Sequence, residues 1–111
     1  MRGRGRVEFE ELVTGTGSLV ERGDTVTIKY SGYLSRGDSF QHDEVAAFRV
    51  GARRVIAGLE YGVEGMRTGG RRRVHVPPHL GYAQKAVPGI PPNAKLTFDI
   101  EVLSVEKEGA A

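Results

Sequence analysis

The sequence predicts an α+β fold in which an antiparallel sheet of five to six strands wraps around one short α-helix. Three observations carry this. Period-two alternation recurs in separate runs: Val26, Ile28 and Tyr30; Arg72, Val74 and Val76; Leu96, Phe98, Ile100 and Val102. The period becomes helical once, where Ile56, Leu59, Val63 and Met66 fall on one face. Strands gathered around a single helix, instead of alternating with helices, call for an antiparallel sheet that covers it.

The 111 residues suit one domain. Residues 1–6, with arginine at every second position from Arg2, read as a flexible basic arm. Residues 7–105 read as the domain and 106–111 as a C-terminal tail. Val7 to Val13 alternates imperfectly and is expected as the first strand. Gly15 to Ser18 is a turn, and with no GK[ST] after it a phosphate-binding loop is a poor alternative. Asp24 to Tyr33 alternates strictly, as a half-buried strand does. A turn at Arg36-Gly37-Asp38 leads to a short run starting at Phe40. The polar His42-Asp43-Glu44 is expected to be exposed, and Ala47 to Val50 is another short strand.

The helix carries Gly58, Gly62 and Gly65. Each weakens it by up to ~1 kcal/mol relative to alanine, so it should be short and held by packing. Arg71 to Val76 returns to alternation, which places Arg72 on the apolar face, where it needs an acceptor or a route to solvent. Pro77-Pro78 ends that strand. A proline-rich stretch, Val87 to Pro92, precedes the last strand from Leu96.

Composition narrows the function. Sixteen Lys and Arg against 14 Asp and Glu leave a formal net charge of +2, too small to favour nucleic acid despite the arginine clusters, so nucleic-acid binding is not expected. No run of about 18 apolar residues is present, so no membrane span is expected. No apolar segment follows the basic N-terminus as in a secretory signal, and a cytoplasmic location is the expectation. Cysteine is absent, excluding disulfides and thiolate chemistry. His75 and His79 have the spacing of a helical metal pair, but Pro77-Pro78 between them forbids that helix. No nucleophile elbow or dinucleotide fingerprint stands out, and neither metal nor cofactor is expected.

One reaction needs none of those groups. Rotation about an X–Pro bond faces a barrier of ~18–20 kcal/mol because the amide loses resonance as it twists. An apolar pocket disfavours the strongly dipolar planar amide more than the twisted one, and hydrogen bonds to the flanking carbonyls add differential binding. Tyr30, Phe40, Phe48, Val55, Ile56, Tyr82, Ile90 and Phe98 supply candidate walls.

The motifs VTIKYSGYL (Val26 to Leu34), GDSF, FRVG, VIAGLEYGVEGM (Val55 to Met66), GRRRVHVPP, LGYA and IPPNAKLTFDIEVL (Ile90 to Leu103) occur in this order. With them the chain resembles the FKBP-type peptidyl-prolyl cis–trans isomerases over Val7 to Val105. The resemblance implies an antiparallel sheet around a short helix, with the substrate proline entering between them. It implies that the Ile56 backbone N–H and the Tyr82 phenol hold carbonyls beside the proline. Tyr30 and Phe98 would be apolar walls, with Phe40 beside the ring and Ile90 on a flap at the edge. Phe48, Val55, Gln41 and Leu59 complete the candidate substrate contacts. Proline-containing peptides and folding proteins are the expected partners, and a monomer is expected.

The chain departs from the family pattern in four places. Leu59 stands where the pocket floor is commonly Trp, and Gln41 where Asp usually follows the phenylalanine. Ala46 stands where an aromatic is frequent, and the segment between Phe40 and Phe48 is short. Less aromatic area against the proline implies reduced isomerase activity and weak macrolide-immunosuppressant binding. The alternative is a chaperone-like module that binds proline segments or unfolded chains with little turnover.

Overall fold

The computed structural model describes residues 2–4, 7–85 and 87–109; the remainder of the expected arm and tail, residues 1, 5, 6, 110 and 111, lies outside the described residues. Strands β1 (Arg2–Arg4), β2 (Val7–Val13), β3 (Thr25–Leu34), β4 (Ser39–Arg49), β5 (Arg71–Val76) and β6 (Leu96–Glu106) form one sheet in the order β1-β2-β5-β6-β3-β4. Every neighbouring pair is antiparallel. A single α-helix, α1 (Ala57–Val63), packs against it. Residues 2–4, read from the sequence as part of a flexible arm, pair with β2 as an edge strand. No helix among the described residues is long and apolar enough to cross a membrane.

The alternation lands as the pattern requires. Val26, Ile28, Val74, Val76, Leu96, Phe98, Ile100 and Val102 are buried on the face that meets α1, together with Leu59 and Val63 from the helix. Residues Arg71, Arg73, Lys95 and Glu101 are at least partly exposed, and Arg73 forms a two-point ion pair with Asp99 on the neighbouring strand.

Two details differ from the sequence expectation. The short runs at Phe40 and at Ala47–Val50 are one eleven-residue strand, β4. They look separate because the ladder skips: Tyr30 pairs with Glu44 and Gly32 with Gln41, so Ser31 faces both His42 and Asp43. Asp43 takes up the extra residue with φ +47° and donates its N–H to Ser31 Oγ at 3.0 Å. Such a bulge bends the strand and re-aims the side chains beside it. The helix is also shorter than its apolar face. Ile56 is its N-cap, and Met66 lies beyond its end.

The glycines of α1 have a packing reason. A Cβ at Gly58 would stand 2.4 Å from Val76 Cγ1, and one at Gly62 would stand 3.0 Å from Val74 Cγ2. The helix therefore rests its backbone directly on β5, and the close approach offsets the propensity that glycine gives up.

Arg72 finds the acceptors its inward position demands. It is 3% exposed, pairs through Nε with Glu11, and donates from Nη1 to the carbonyls of Gly62 (2.8 Å) and Glu64 (2.9 Å). Its guanidinium carbon lies 3.9 Å from the centroid of the Phe9 ring. The two carbonyls are at the end of α1, where helical partners run out. One buried cation thus ties α1 to β2 and β5.

The expected tail is also anchored where it is described. Asp24 is buried and accepts the backbone N–H groups of Glu21 (2.9 Å) and Glu108 (2.9 Å), and Lys107 Nζ donates to it. Burial pushes the Asp24 carboxyl up, but Lys107 and the two N–H donors outweigh it, so the net direction is below 3.8. A carboxylate with a depressed folded pKa stabilises the protein above its unfolded value, and that contribution is lost as the pH falls through the folded one. Wild type should therefore exceed Asp24→Asn in urea stability by a constant margin near neutrality. The margin should shrink as pH drops below about 4. A margin that is the same at pH 6 and at pH 3 would rule out this anchor as an ion pair.

Candidate active site

A cavity of about 550 Å³ opens between the sheet and the residues around α1, lined by Tyr30, Gln41, Arg53, Arg54, Val55, Ile56, Leu59, Gly81, Tyr82, Ala83 and Lys85. Four separate segments meet there: β3, the start of β4, the turn entering α1, and the loop after the 3-10 turn Pro78–Leu80. Leu59, on the first turn of α1, is buried at its base.

Its aromatic wall is continuous. The Tyr30 and Phe98 ring centroids are 5.9 Å apart and tilted by 59°, and Phe40 meets Phe98 edge-on at 5.7 Å. Gly32 makes room for this cluster, since a Cβ there would come within 2.6 Å of Phe40 Cζ and 2.9 Å of Phe98 Cε1. Phe98 is fully buried, so it supports the wall from behind, whereas Tyr30 and Phe40 are partly exposed.

Beside the cations Arg53, Arg54 and Lys85, the cavity presents Gln41 and two phenols. Gln41 Nε2 donates to the Tyr30 hydroxyl at 3.2 Å, which leaves the phenol proton available to a third party. Burial raises the Tyr30 pKa above 10.0. Gln41 opposes the rise, and Glu44 and Tyr82 add to it. The phenol stays neutral across physiological pH. Among the described residues, no acceptor meets the Tyr82 hydroxyl or the Ile56 backbone N–H. A partly buried phenol and an N-terminal helix N–H both require a partner.

The turn that presents Ile56 is held from beneath by Glu60, a residue that sequence reasoning passed over. Glu60 is 8% exposed, and its Oε2 accepts the N–H groups of Gly51 (2.9 Å) and Arg53 (3.0 Å). Arg53 sits at φ +61°, and Ala83, across the mouth, at φ +50°. Non-glycine residues in this region are held there by their surroundings. Asn93, at φ +60°, donates its N–H to Ala83 O at 2.6 Å and so ties the proline-rich segment to the loop bearing Tyr82.

That segment is a tight turn. Val87 and Ile90 exchange backbone hydrogen bonds around Pro88-Gly89, with Gly89 at φ +81°. Proline followed by a left-handed glycine is the type II arrangement. A Cβ on Gly89 would lie 3.6 Å from Phe40 Cβ, so the turn rests beside the aromatic wall. Ile90 is buried within the core cluster and does not line the cavity.

Of the residues singled out from the sequence, Tyr30, Gln41, Val55, Ile56, Leu59 and Tyr82 line the cavity. Phe40 and Phe98 join them through ring contacts with each other and with Tyr30. Phe48 differs. It is 4% exposed and pairs with Val26 in the sheet, which makes it a core residue away from the cavity. Residue type had placed it among the candidate walls, because a core and a pocket wall ask for the same kind of side chain.

Comparison with known proteins agrees with this geometry. A family model described as FKBP-type peptidyl-prolyl cis-trans isomerase matches residues 17–103. FK506-binding protein 4 of Chaetomium thermophilum is 43% identical over 103 residues, covering 90% of this chain and 21% of that protein. The Aspergillus oryzae protein of the same name is 40% identical over the same length, 90% of this chain and 22% of its own. The chain therefore spans about a fifth of the length of these curated relatives. Among solved structures, FkpA from Escherichia coli aligns with a TM-score of 0.80 at 34% identity, covering 91% of this chain and 48% of that one. A peptidyl-prolyl cis-trans isomerase from Pseudomonas syringae pv. tomato aligns with a TM-score of 0.79 at 29% identity, covering 91% and 76%.

Proposed function

The chain belongs to the FKBP-type peptidyl-prolyl cis–trans isomerase family, and we propose that it accelerates X–Pro bond rotation in the cavity bounded by Tyr30, Ile56, Leu59 and Tyr82. The observation that carries this reading is a pair of uncommitted donors, the Ile56 N–H and the Tyr82 hydroxyl, set beside the apolar walls of one concavity. A proline ring would enter over Leu59 with Tyr30 and Phe40 at its side and Phe98 behind them. The two donors would take carbonyl oxygens next to it. An amide held by its neighbours and stripped of water reaches the twisted state more readily, because that state loses less from the apolar surroundings.

The same reading implies a slower enzyme than an aromatic-floored pocket would give, and weak affinity for macrolide immunosuppressants. Leu59 covers less of the ring than a larger aromatic would, and each Å² of apolar contact forgone costs ~25 cal/mol. Phe40 remains beside the proline, with Ile90 behind the lip of the groove. Proline-containing peptides and folding proteins are the partners that such a groove suits.

Exchange NMR on an X–Pro peptide tests the reading. Wild type should bind the peptide and speed cis–trans exchange, and Tyr82→Phe should lower the catalysed rate about tenfold, the worth of roughly one hydrogen bond. Binding with no faster exchange would replace the isomerase by a proline-segment binding module.

A further inference from the structure

The groove's mouth carries one sign of charge. Arg53, Arg54 and Lys85 line the cavity alongside its apolar walls, and no acidic residue does. All three are exposed. Among the described residues, none of their side chains forms an ion pair or hydrogen bond. Elsewhere on the surface some cations are paired, Arg36 with Asp38, Arg49 with Glu108, Arg73 with Asp99 and Lys107 with Glu21 and Asp24, while others such as Lys29 and Lys95 stand apart from the groove; what marks the rim is that its three cations share one cavity.

Among the described residues, no acid pairs with these three side chains. Glu60 is buried behind the turn with Oε2 already holding Gly51 and Arg53 N–H, and it lines an adjoining cavity with Glu64 and Arg22, which shares Arg53 and Val55 with the groove. Glu44 acts on Tyr30 from β4, where its backbone pairs with Tyr30. The remaining polar residue at the wall is Gln41, which is neutral. Arg53 and Arg54 immediately precede Val55 and Ile56, and Lys85 follows Tyr82 by three residues. The cations thus flank both proposed carbonyl donors. A peptide held by those donors would carry its side chains beside the proline within the reach of this rim.

We infer that the rim selects proline segments bearing a carboxylate next to the proline, Glu or Asp, over segments bearing a cation there. The inference rests on the prolyl-groove reading. Exposed cations act on an incoming charge over about one Debye length, ~8 Å at physiological ionic strength, so selection should be strong in dilute buffer and fade with salt.

Four otherwise identical short peptides containing Glu-Pro, Gln-Pro, Lys-Pro and, as a control, Glu-Ala are titrated into the whole chain by NMR, with exchange rates measured on the three proline peptides. Glu-Pro should bind about tenfold more tightly than Lys-Pro at low ionic strength, with Gln-Pro between them. The ratio should approach one in about 1 M salt, where the Debye length is ~3 Å. It should also approach one in the triple variant Arg53→Asn, Arg54→Gln, Lys85→Gln; asparagine tolerates the left-handed backbone at that position. Equal or reversed affinities for Glu-Pro and Lys-Pro in wild type would overturn the inference. So would Glu-Ala binding as tightly as Glu-Pro. Glu-Pro preference in binding without faster exchange would retain the inference and refute the isomerase reading instead.

Discussion

Arg72→Ala should lower the unfolding free energy by about 2–4 kcal/mol, read as a shift in urea midpoint at neutral pH. The substitution removes a buried cation that serves two carbonyls at the end of α1 and a carboxylate at the surface. The Glu11 carboxylate loses its mate, the Gly62 and Glu64 carbonyls at the end of α1 lose their donor, and Phe9 loses the guanidinium above it. The Glu11 carboxylate can turn to water, so the cost falls mainly on the buried Gly62 carbonyl and on the packing lost over Phe9. Most small domains have 5–15 kcal/mol in total, so the variant should be marginal. Removing both partners with apolar residues, Arg72→Met with Glu11→Leu, should recover part of the loss. A drop below about 1 kcal/mol in Arg72→Ala would mean that α1 holds to the sheet through Val74 and Val76 alone.

How much of this could be read in advance depended on whether a residue's partner lies on its own strand or far along the chain. Val26 and Ile28, or Leu96, Phe98, Ile100 and Val102, announce their face by local alternation, and the structure buries them as the period demands, with Tyr30 on the same face half-buried at the cavity. The demand that Arg72 find an acceptor was equally legible, since an arginine on an apolar face cannot be left alone. The identity of the acceptor was not. Gly62 O and Glu64 O become available only once the helix end is placed over β5. Asp24 and Glu60 are harder still. Either carboxylate looks like any solvated acid until its donors are placed, 84 residues later for the Glu108 N–H or seven to nine residues earlier for the Arg53 and Gly51 N–H groups.

The same distinction explains β4. Its two halves looked like separate runs because Asp43 breaks the period, and only pairing with Ser31 shows the break to be one extra residue within a single strand. It also explains why six of the expected site residues line one cavity and Phe48 does not. Residue type had grouped Phe48 with the wall candidates; its place on β4 opposite Val26 puts it in the core instead. The glycines of α1 are a further case. Propensity alone counts them as weaknesses, while the contacts with Val74 and Val76 make them the reason the helix can sit close enough to floor the cavity with Leu59.

Glu60 offers the sharpest separation of shape from stability. Its carboxylate holds two N–H groups of the turn that runs from Gly51 to Ile56, and that turn carries both Arg53-Arg54 and the proposed amide donor. Glu60→Ala leaves both N–H groups without their acceptor and should cost about 2–4 kcal/mol, the range for charged hydrogen bonds within a part-buried site. Its effect on the catalysed exchange rate should exceed that of unfolding. Once the turn relaxes, the Ile56 N–H is no longer fixed relative to Tyr82, and misplacement by about 1 Å can cost as much as 100-fold. Measured where the variant is still folded, kcat/KM for an X–Pro peptide should therefore fall at least tenfold, an expected loss from that misplacement. Glu60→Gln keeps an acceptor oxygen in the same place and should restore most of the rate while remaining less stable than wild type. If Glu60→Gln were as slow as Glu60→Ala, acceptor geometry would not be what Glu60 supplies. A folded Glu60→Ala with unchanged kcat/KM would show that the turn keeps its shape unaided, with Ile56 positioned instead by its own packing against α1.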